Sequence, residues 1–250
     1  MNNKRLFAIV GSVLFAGLSV YYATPVFAPQ IEEPARTPFW EVTVEPNLNS
    51  PTVFNTTLNK STIKDAIRTF GNRLSLSIFE EKGKLTLEGY FRETLAGGLS
   101  GRVAFTPEKD EALFRELISY LEPHKRSTSE RTIYDLPKEM QEKVEHLKVT
   151  SLAFIPLAVQ VKEEDILRNF GPTDYIFDDK RNSITHYLYP AIGVDATLDR
   201  SGSKASYIQY SPLESYHERI IEPLLQNKSI IKREVKSDKT DSAESFESAQ

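Results

Sequence analysis

The pattern of apolar and polar positions divides the chain into three kinds of stretch. The first is an uncharged, largely apolar run, Leu6 to Ala23, eighteen residues that directly follow Lys4 and Arg5. That length approaches what a helix needs to cross a bilayer core and exceeds the usual apolar core of a signal peptide. Tyr21 and Tyr22 fall where interfacial aromatics belong. The basic residues before the run, with Glu32 and Glu33 after it, place the N-terminus inside and the body outside. Residues 1–28 therefore predict a single-pass anchor in the inner membrane, with the body in the periplasm. The competing reading is a signal peptide cleaved after Val26-Phe27-Ala28, which would leave the body secreted or periplasmic. Pro29, directly after that bond, opposes cleavage.

The second kind of stretch is polar and low in large apolar residues. Six prolines lie between Thr24 and Pro51, a composition that favours an extended, semi-rigid linker over 29–51. Within it, Phe39 to Val44 alternates as a strand would. At the other end, Lys232 to Gln250 is polar, so 228–250 reads as a disordered tail.

The third kind, between these ends, repeats itself at a spacing near 100 residues. Asp65-Ala66-Ile67-Arg68-Thr69-Phe70-Gly71 matches Asp165-Ile166-Leu167-Arg168-Asn169-Phe170-Gly171. Collinear with it, Phe54 matches Phe154, Ile78 to Lys82 matches Ile176 to Lys180, and Tyr90 matches Tyr189. Val103 to Pro107 then matches Ile208 to Pro212. Each half predicts a short helix (61–70 and 162–170) ended by Gly71 or Gly171, since glycine accepts the left-handed conformation just past a helix. Phe70, Gly71, Phe170 and Gly171 are thus the structural signature of the repeat. Strands follow at 75–80, 84–91 and 101–106 in the first half. In the second they fall at 174–178, 183–189, 193–199 and 204–210. Further helices are expected at 108–121, 136–147 and 213–225. The expected architecture is α+β: two tandem related halves, each a short helix followed by an antiparallel β-meander, behind an N-terminal transmembrane helix. The halves span 52–122 and 151–227, joined by a linking helix region at 123–150.

Charge and cysteine content narrow the function. After Lys4 and Arg5, 29 basic residues face 35 acidic ones, a net charge of -6. A mildly acidic body lacks the concentrated basic surface that nucleic acid needs. With no cysteine, disulfides, thiolate metal sites and a cysteine nucleophile are excluded. His124, His146, His186 and His217 show no metal-ligand spacing, so neither a metal nor a cofactor is expected. Glu80-Glu81 and Asp178-Asp179 sit in expected hairpin turns, and turn chemistry accounts for them. Gly98-Leu99-Ser100-Gly101 lacks the strand–turn–helix context of a nucleophile elbow. The sequence therefore points away from an enzyme.

The halves differ where a binding face would lie. Tyr187 and Tyr207 stand where the first half has Glu88 and Arg102, with Thr185 and Gln209 beside them. Exposed tyrosines suit partner-binding faces because they bury area at low entropic cost. These four residues are the candidate contact set, unless another part of the chain covers them.

The order of short helix, Phe-Gly or Phe-Gly-Pro, acidic turn and meander, carried by Asp65 to Tyr90 and Asp165 to Tyr189, resembles the SmpA/OmlA-like outer-membrane assembly proteins. It also resembles the tandem β-lactamase inhibitor proteins. The chain departs from them in lacking a Gly-Met-Thr opening and a lipoprotein cysteine. The resemblance implies a periplasmic binding or assembly module with an envelope protein as partner. An envelope hydrolase acting on cell wall or lipid, and an inhibitor or immunity-type protein, are the alternatives.

Overall fold

The computed structural model describes residues 38–157, 159–173, 175–202 and 206–233. The expected anchor, the first part of the proline-rich segment and the tail beyond Arg233 lie outside the described residues. Among the described residues no helix is long and apolar enough to cross a membrane.

The fold is α+β and dominated by antiparallel strands. A small sheet holds β1 (Thr43–Glu45), β2 (Ser50–Val53) and β3 (Thr56–Thr57). The body is a ten-stranded sheet. Its first five strands in the chain are β4 (Leu74–Glu81), β5 (Lys84–Ala96), β6 (Leu99–Pro107), β7 (Arg131–Leu136) and β8 (Val149–Pro156). The other five are β9 (Ile176–Asp179), β10 (Ile184–Tyr189), β11 (Val194–Asp199), β12 (Ile208–Tyr210) and β13 (Ile230–Arg233). Across the sheet they run β13-β9-β10-β11-β12-β8-β6-β5-β4-β7, and every neighbouring pair is antiparallel.

Two helices of equal length precede the meanders, α1 (Ile63–Phe70) and α4 (Glu163–Phe170), and their matched residues do the same work. Asp65 accepts the Thr62 N–H at 3.0 Å, and Asp165 accepts the Lys162 N–H at 3.1 Å. Each carboxylate thereby satisfies a donor at its helix start. Arg68 and Arg168 each pair with that same aspartate. Gly71 and Gly171 close the helices at φ 97° and 86°, donating to Ile67 and Leu167. Phe70 and Phe170 then point into the core against Phe91 and Tyr189.

The other helices are α2 (Glu111–Ile118), α3 (Lys138–Gln141) and a C-terminal run. That run is α5 (Leu213–Tyr216), a π-helical turn (His217–Ile221) and α6 (Glu222–Gln226). Their sides matter. Ile63, Ala66 and Phe70 of α1, Phe114 and Leu117 of α2, and Ile166 of α4 join one core with Leu76, Leu87, Phe105, Phe154, Tyr187 and Tyr210. The C-terminal run packs instead on the opposite face, setting Tyr216, Ile220, Ile221 and Leu224 against Phe177 and Leu188. We call these the core face and the far face.

Several expectations change. Phe39 is buried against Phe154 and Phe170, and β1 and β2 fold onto the body, so the end of the expected linker belongs to the globular unit. The linking region 123–150 is not mainly helical. It holds β7, and only Lys138–Gln141 is α-helix. The chain beyond it turns because the Glu145 and Leu147 carbonyls accept the Lys64 and Ile63 N–H groups, filling the donors left open at the start of α1. Ile230–Arg233 is strand β13, paired with β9, where a disordered tail was expected. Phe54 and Phe154 do not correspond in structure: Phe154 lies in β8, whereas Phe54 sits in a turn at φ 51°.

Candidate functional site

Alternation along each strand decides which side chains reach which face. On β10, Thr185 and Tyr187 point to the core face and are 0% exposed. Thr185 donates to Asp178 at 2.7 Å and accepts from the Arg200 Nε at 2.6 Å. The Tyr187 phenol lies beside Glu163 and Arg233. Among the described residues, neither is exposed to a partner. Tyr207 and Gln209 point to the far face and are partly buried. The four candidate residues therefore do not form one surface, and Tyr187 and Thr185 are core residues.

The far face has two unlike parts. Over β9 and β10 lies the C-terminal run. Beneath it, His186 Nδ1 sits 3.0 and 3.2 Å from the two Asp195 oxygens. Burial pulls the imidazole pKa down, but Asp195 and then Asp179 pull it up further, so it stands above its ordinary value. Asp195 is the sole hydrogen-bond partner of His186 among the described residues. The His186–Asp195 pair ties β10 to β11. The same residues contain no group of three His, Asp or Glu side chains arranged to hold a metal.

Over β4 to β8 no described helix covers the far face, and the charged residues of the first half gather there. Arg131 on β7 lies across the Phe79 ring, its guanidinium carbon 4.0 Å from the ring centroid. From there it reaches Glu88 on β5 at 3.2 Å, the two side chains being 14% and 17% exposed. Burial pushes the Glu88 pKa up to about 8, and Arg131 offsets only part of that rise. The low dielectric costs the carboxylate more than its partner returns. Tyr90, two residues on, is pushed up by burial and partly held down by Arg102 and Arg92. Arg102 on β6 stands opposite Ile155 of β8, and its Nε is buried with no hydrogen-bond partner. A register shift between Phe91 and Thr94 bulges β5 beside it. Past Arg102 the face turns apolar: Leu95 pairs with Ser100, whose carbonyl accepts the Leu157 N–H, and Leu95 and Leu157 are 45% and 46% exposed.

Comparison of the two halves pointed to Tyr187, Tyr207, Thr185 and Gln209, of which Tyr187 and Thr185 are buried on the core face. Glu88 and Arg102 are partly buried on the far face, and of the tyrosines aligned with them Tyr187 is fully buried on the core face. Tyr90 and Tyr189 also lie on opposite faces, so Phe91 is the counterpart of Tyr189. A slip of one residue turns a strand over. Neither a protein-family model, nor a curated protein, nor a solved structure matches this chain.

Proposed function

We propose that the protein is a non-enzymatic, membrane-anchored binding protein of a bacterial envelope, and that it holds a protein partner on the far face of β4 to β8. One observation carries this reading: the helix that follows the first meander packs on the core face, while the one that follows the second packs on the far face. Half of the far face is therefore left without a helix. Tyr90 and Arg102 are partly exposed there, beside a mostly buried Phe79, Arg131 and Glu88 group, and aromatic and arginine side chains suit an interface. The apolar run Leu6 to Ala23 supplies the anchor in this reading, with the body in the periplasm.

The proposal includes descent of the body from a duplicated unit. Counted from the middle of the sheet, β8, β6, β5 and β4 take the places of β12, β11, β10 and β9, which sets β6 against β11 where the sequence match sets it against β12. Helices α1 and α4 share an aspartate in the first turn and a closing Phe-Gly. That arrangement fits the resemblance to outer-membrane assembly modules and inhibitor proteins.

The test is photocrosslinking in intact cells from Ser75 and Thr86 on the far face, with Lys64 on α1 as the control position. One dominant envelope protein captured from Ser75 and Thr86, and not from Lys64, is the expected result. Glycan or lipid fragments in its place would overturn the reading in favour of an envelope hydrolase.

A further inference from the structure

We infer that Arg102 is the anchor point for a carboxylate side chain of the bound partner, with Leu95 and Leu157 receiving apolar residues next to it. This rests on the partner-binding reading and names the chemistry of the partner.

Three arginines of the ten-stranded sheet are partly buried: Arg102, Arg131 and Arg233. Arg131 is matched by Glu88 at 3.2 Å, and Arg233 by Asp178 at 2.8 Å and Glu163 at 3.3 Å. Arg102 has no carboxylate and no hydrogen-bond acceptor among the described residues, and its Nε is shut off from water. A buried guanidinium N–H without an acceptor is destabilising. The terminal nitrogens of Arg102 also have no acceptor among the described residues, yet they are not shut off from water, so they are the atoms a partner can reach. Arginine is also the side chain best shaped to take a carboxylate with two parallel hydrogen bonds.

The surroundings select the acceptor. Arg92, on the bulged stretch of β5, brings a second positive charge to the same tyrosine, Tyr90, that Arg102 influences. Arg102 itself is a positive charge without a carboxylate partner among the described residues, on a body whose net charge is negative. The neighbouring row, Leu95, Ser100 and Leu157, is half-exposed and apolar at both ends, and Val159 beyond it is 44% exposed. The row is interrupted by the polar Ser100 and stands beside the Arg102 cation, which suits a protein segment with an acidic residue between apolar ones better than an acyl tail.

The experiment has two arms on the full-length chain. In cells, a photocrosslinker is placed at Ser100 in wild type, Arg102→Glu, Arg102→Gln and Arg102→Lys. The expected result is at least tenfold less product for Glu and Gln, partial retention for Lys, and a crosslinked partner segment containing Asp or Glu. Replacing that acidic residue by Lys then restores the product with Arg102→Glu. Unchanged yield from Arg102→Glu and Arg102→Gln, while Ser75 still captures the partner, overturns the carboxylate anchor and leaves the binding reading standing. Loss of protein product from Ser75 as well as Ser100 in wild type overturns both.

The second arm does not depend on any variant folding. The chain, in phosphatidylcholine nanodiscs, is titrated with acetyl-Leu-Glu-Leu-amide and with its Gln analogue. Movement of the Arg102 Nε–Hε resonance by the Glu peptide alone is expected. Equal movement by both peptides, or none by either, counts against the inference.

Discussion

At the scale of single residues, Glu88 and His186 carry opposite lessons about buried charge. Glu88 binds its proton more tightly in the folded protein than in the unfolded chain, because burial raises its pKa from 4.5 to about 8. The stability it contributes is complete below pH 4.5 and is lost as pH rises to about 8. Glu88→Gln keeps an acceptor for Arg131 and removes the charge. The variant should match wild type at pH 4 and become progressively more stable than it up to about pH 8, with a constant difference beyond. Urea unfolding at three pH values measures this, and parallel curves would mean that Glu88 is solvated. His186 is the converse: its raised pKa means that the charged imidazole is held in the fold, stabilising below its ordinary value of 6.5 and ceasing to do so as pH climbs through the folded value. Asp195→Asn removes the first of its two upward influences. The imidazole pKa should fall, as read by NMR titration, and stability should drop by about 3–5 kcal/mol where His186 is left charged and unpaired. Of these residues, sequence spacing singled out Glu88 and Arg102 only as partners of tyrosines. It had no means of seeing that Arg131, 43 positions from Glu88, crosses Phe79 to reach it.

At the scale of elements, what could be read in the sequence is what short-range chemistry determines. Helices α1 and α4 announce themselves by an aspartate at the start and Phe-Gly at the end. The meander turns do so through glycine and acidic residues. What could not be read depends on distant pairing. Strand β7 is Arg-Thr-Ile-Tyr-Asp-Leu, too polar to stand out, and it exists because β4 offers it a ladder of six residue pairs. The expected helix over 136–147 is α-helical only at Lys138–Gln141, and the Glu145 and Leu147 carbonyls beyond it accept from the start of α1. Glycines inside strands are a further case. Gly89 faces Phe105 in register, and a Cβ built on it would lie 2.0 Å from the ring carbon Cζ. The ring fills the space that a side chain would take, so this position needs glycine for room and not for its backbone angles. Gly89→Val should therefore displace Phe105 and destabilise by about 1–3 kcal/mol, measured by thermal or urea unfolding. A variant as stable as wild type would show that the ring moves freely.

At the scale of the whole molecule, one sheet of ten strands joins both halves through β8, which pairs with β6 on one side and β12 on the other. There is thus no weak boundary in the middle, and the two ends of the sheet are where it can open. At the β13 end, closure rests on one side chain that spans three elements. Arg233 binds Asp178 of β9 through Nε and a terminal nitrogen at 3.3 and 2.8 Å, and Glu163 of α4 at 3.3 Å. Burial works against ionisation of Asp178, but the hydrogen bonds from Arg233 and Thr185 outweigh it, so its pKa lies below the ordinary carboxylate value. That stabilisation is present above the unfolded value of 3.8 and is lost as pH falls through the lower folded value. Arg233→Ala removes the clamp while Thr185 and Arg200 still hold Asp178. The loss should be moderate, about 1.5–3 kcal/mol at neutral pH, and should shrink in acid. Because β13 is an edge strand held by one neighbour, the variant should also exchange the amide hydrogens of Ile230 to Arg233 faster than those of β8, with the sheet centre unaffected. Hydrogen exchange resolved by residue separates this local opening from global unfolding. A uniform rise across the sheet would mean that the ten strands unfold as one unit and that the edge has no independent motion.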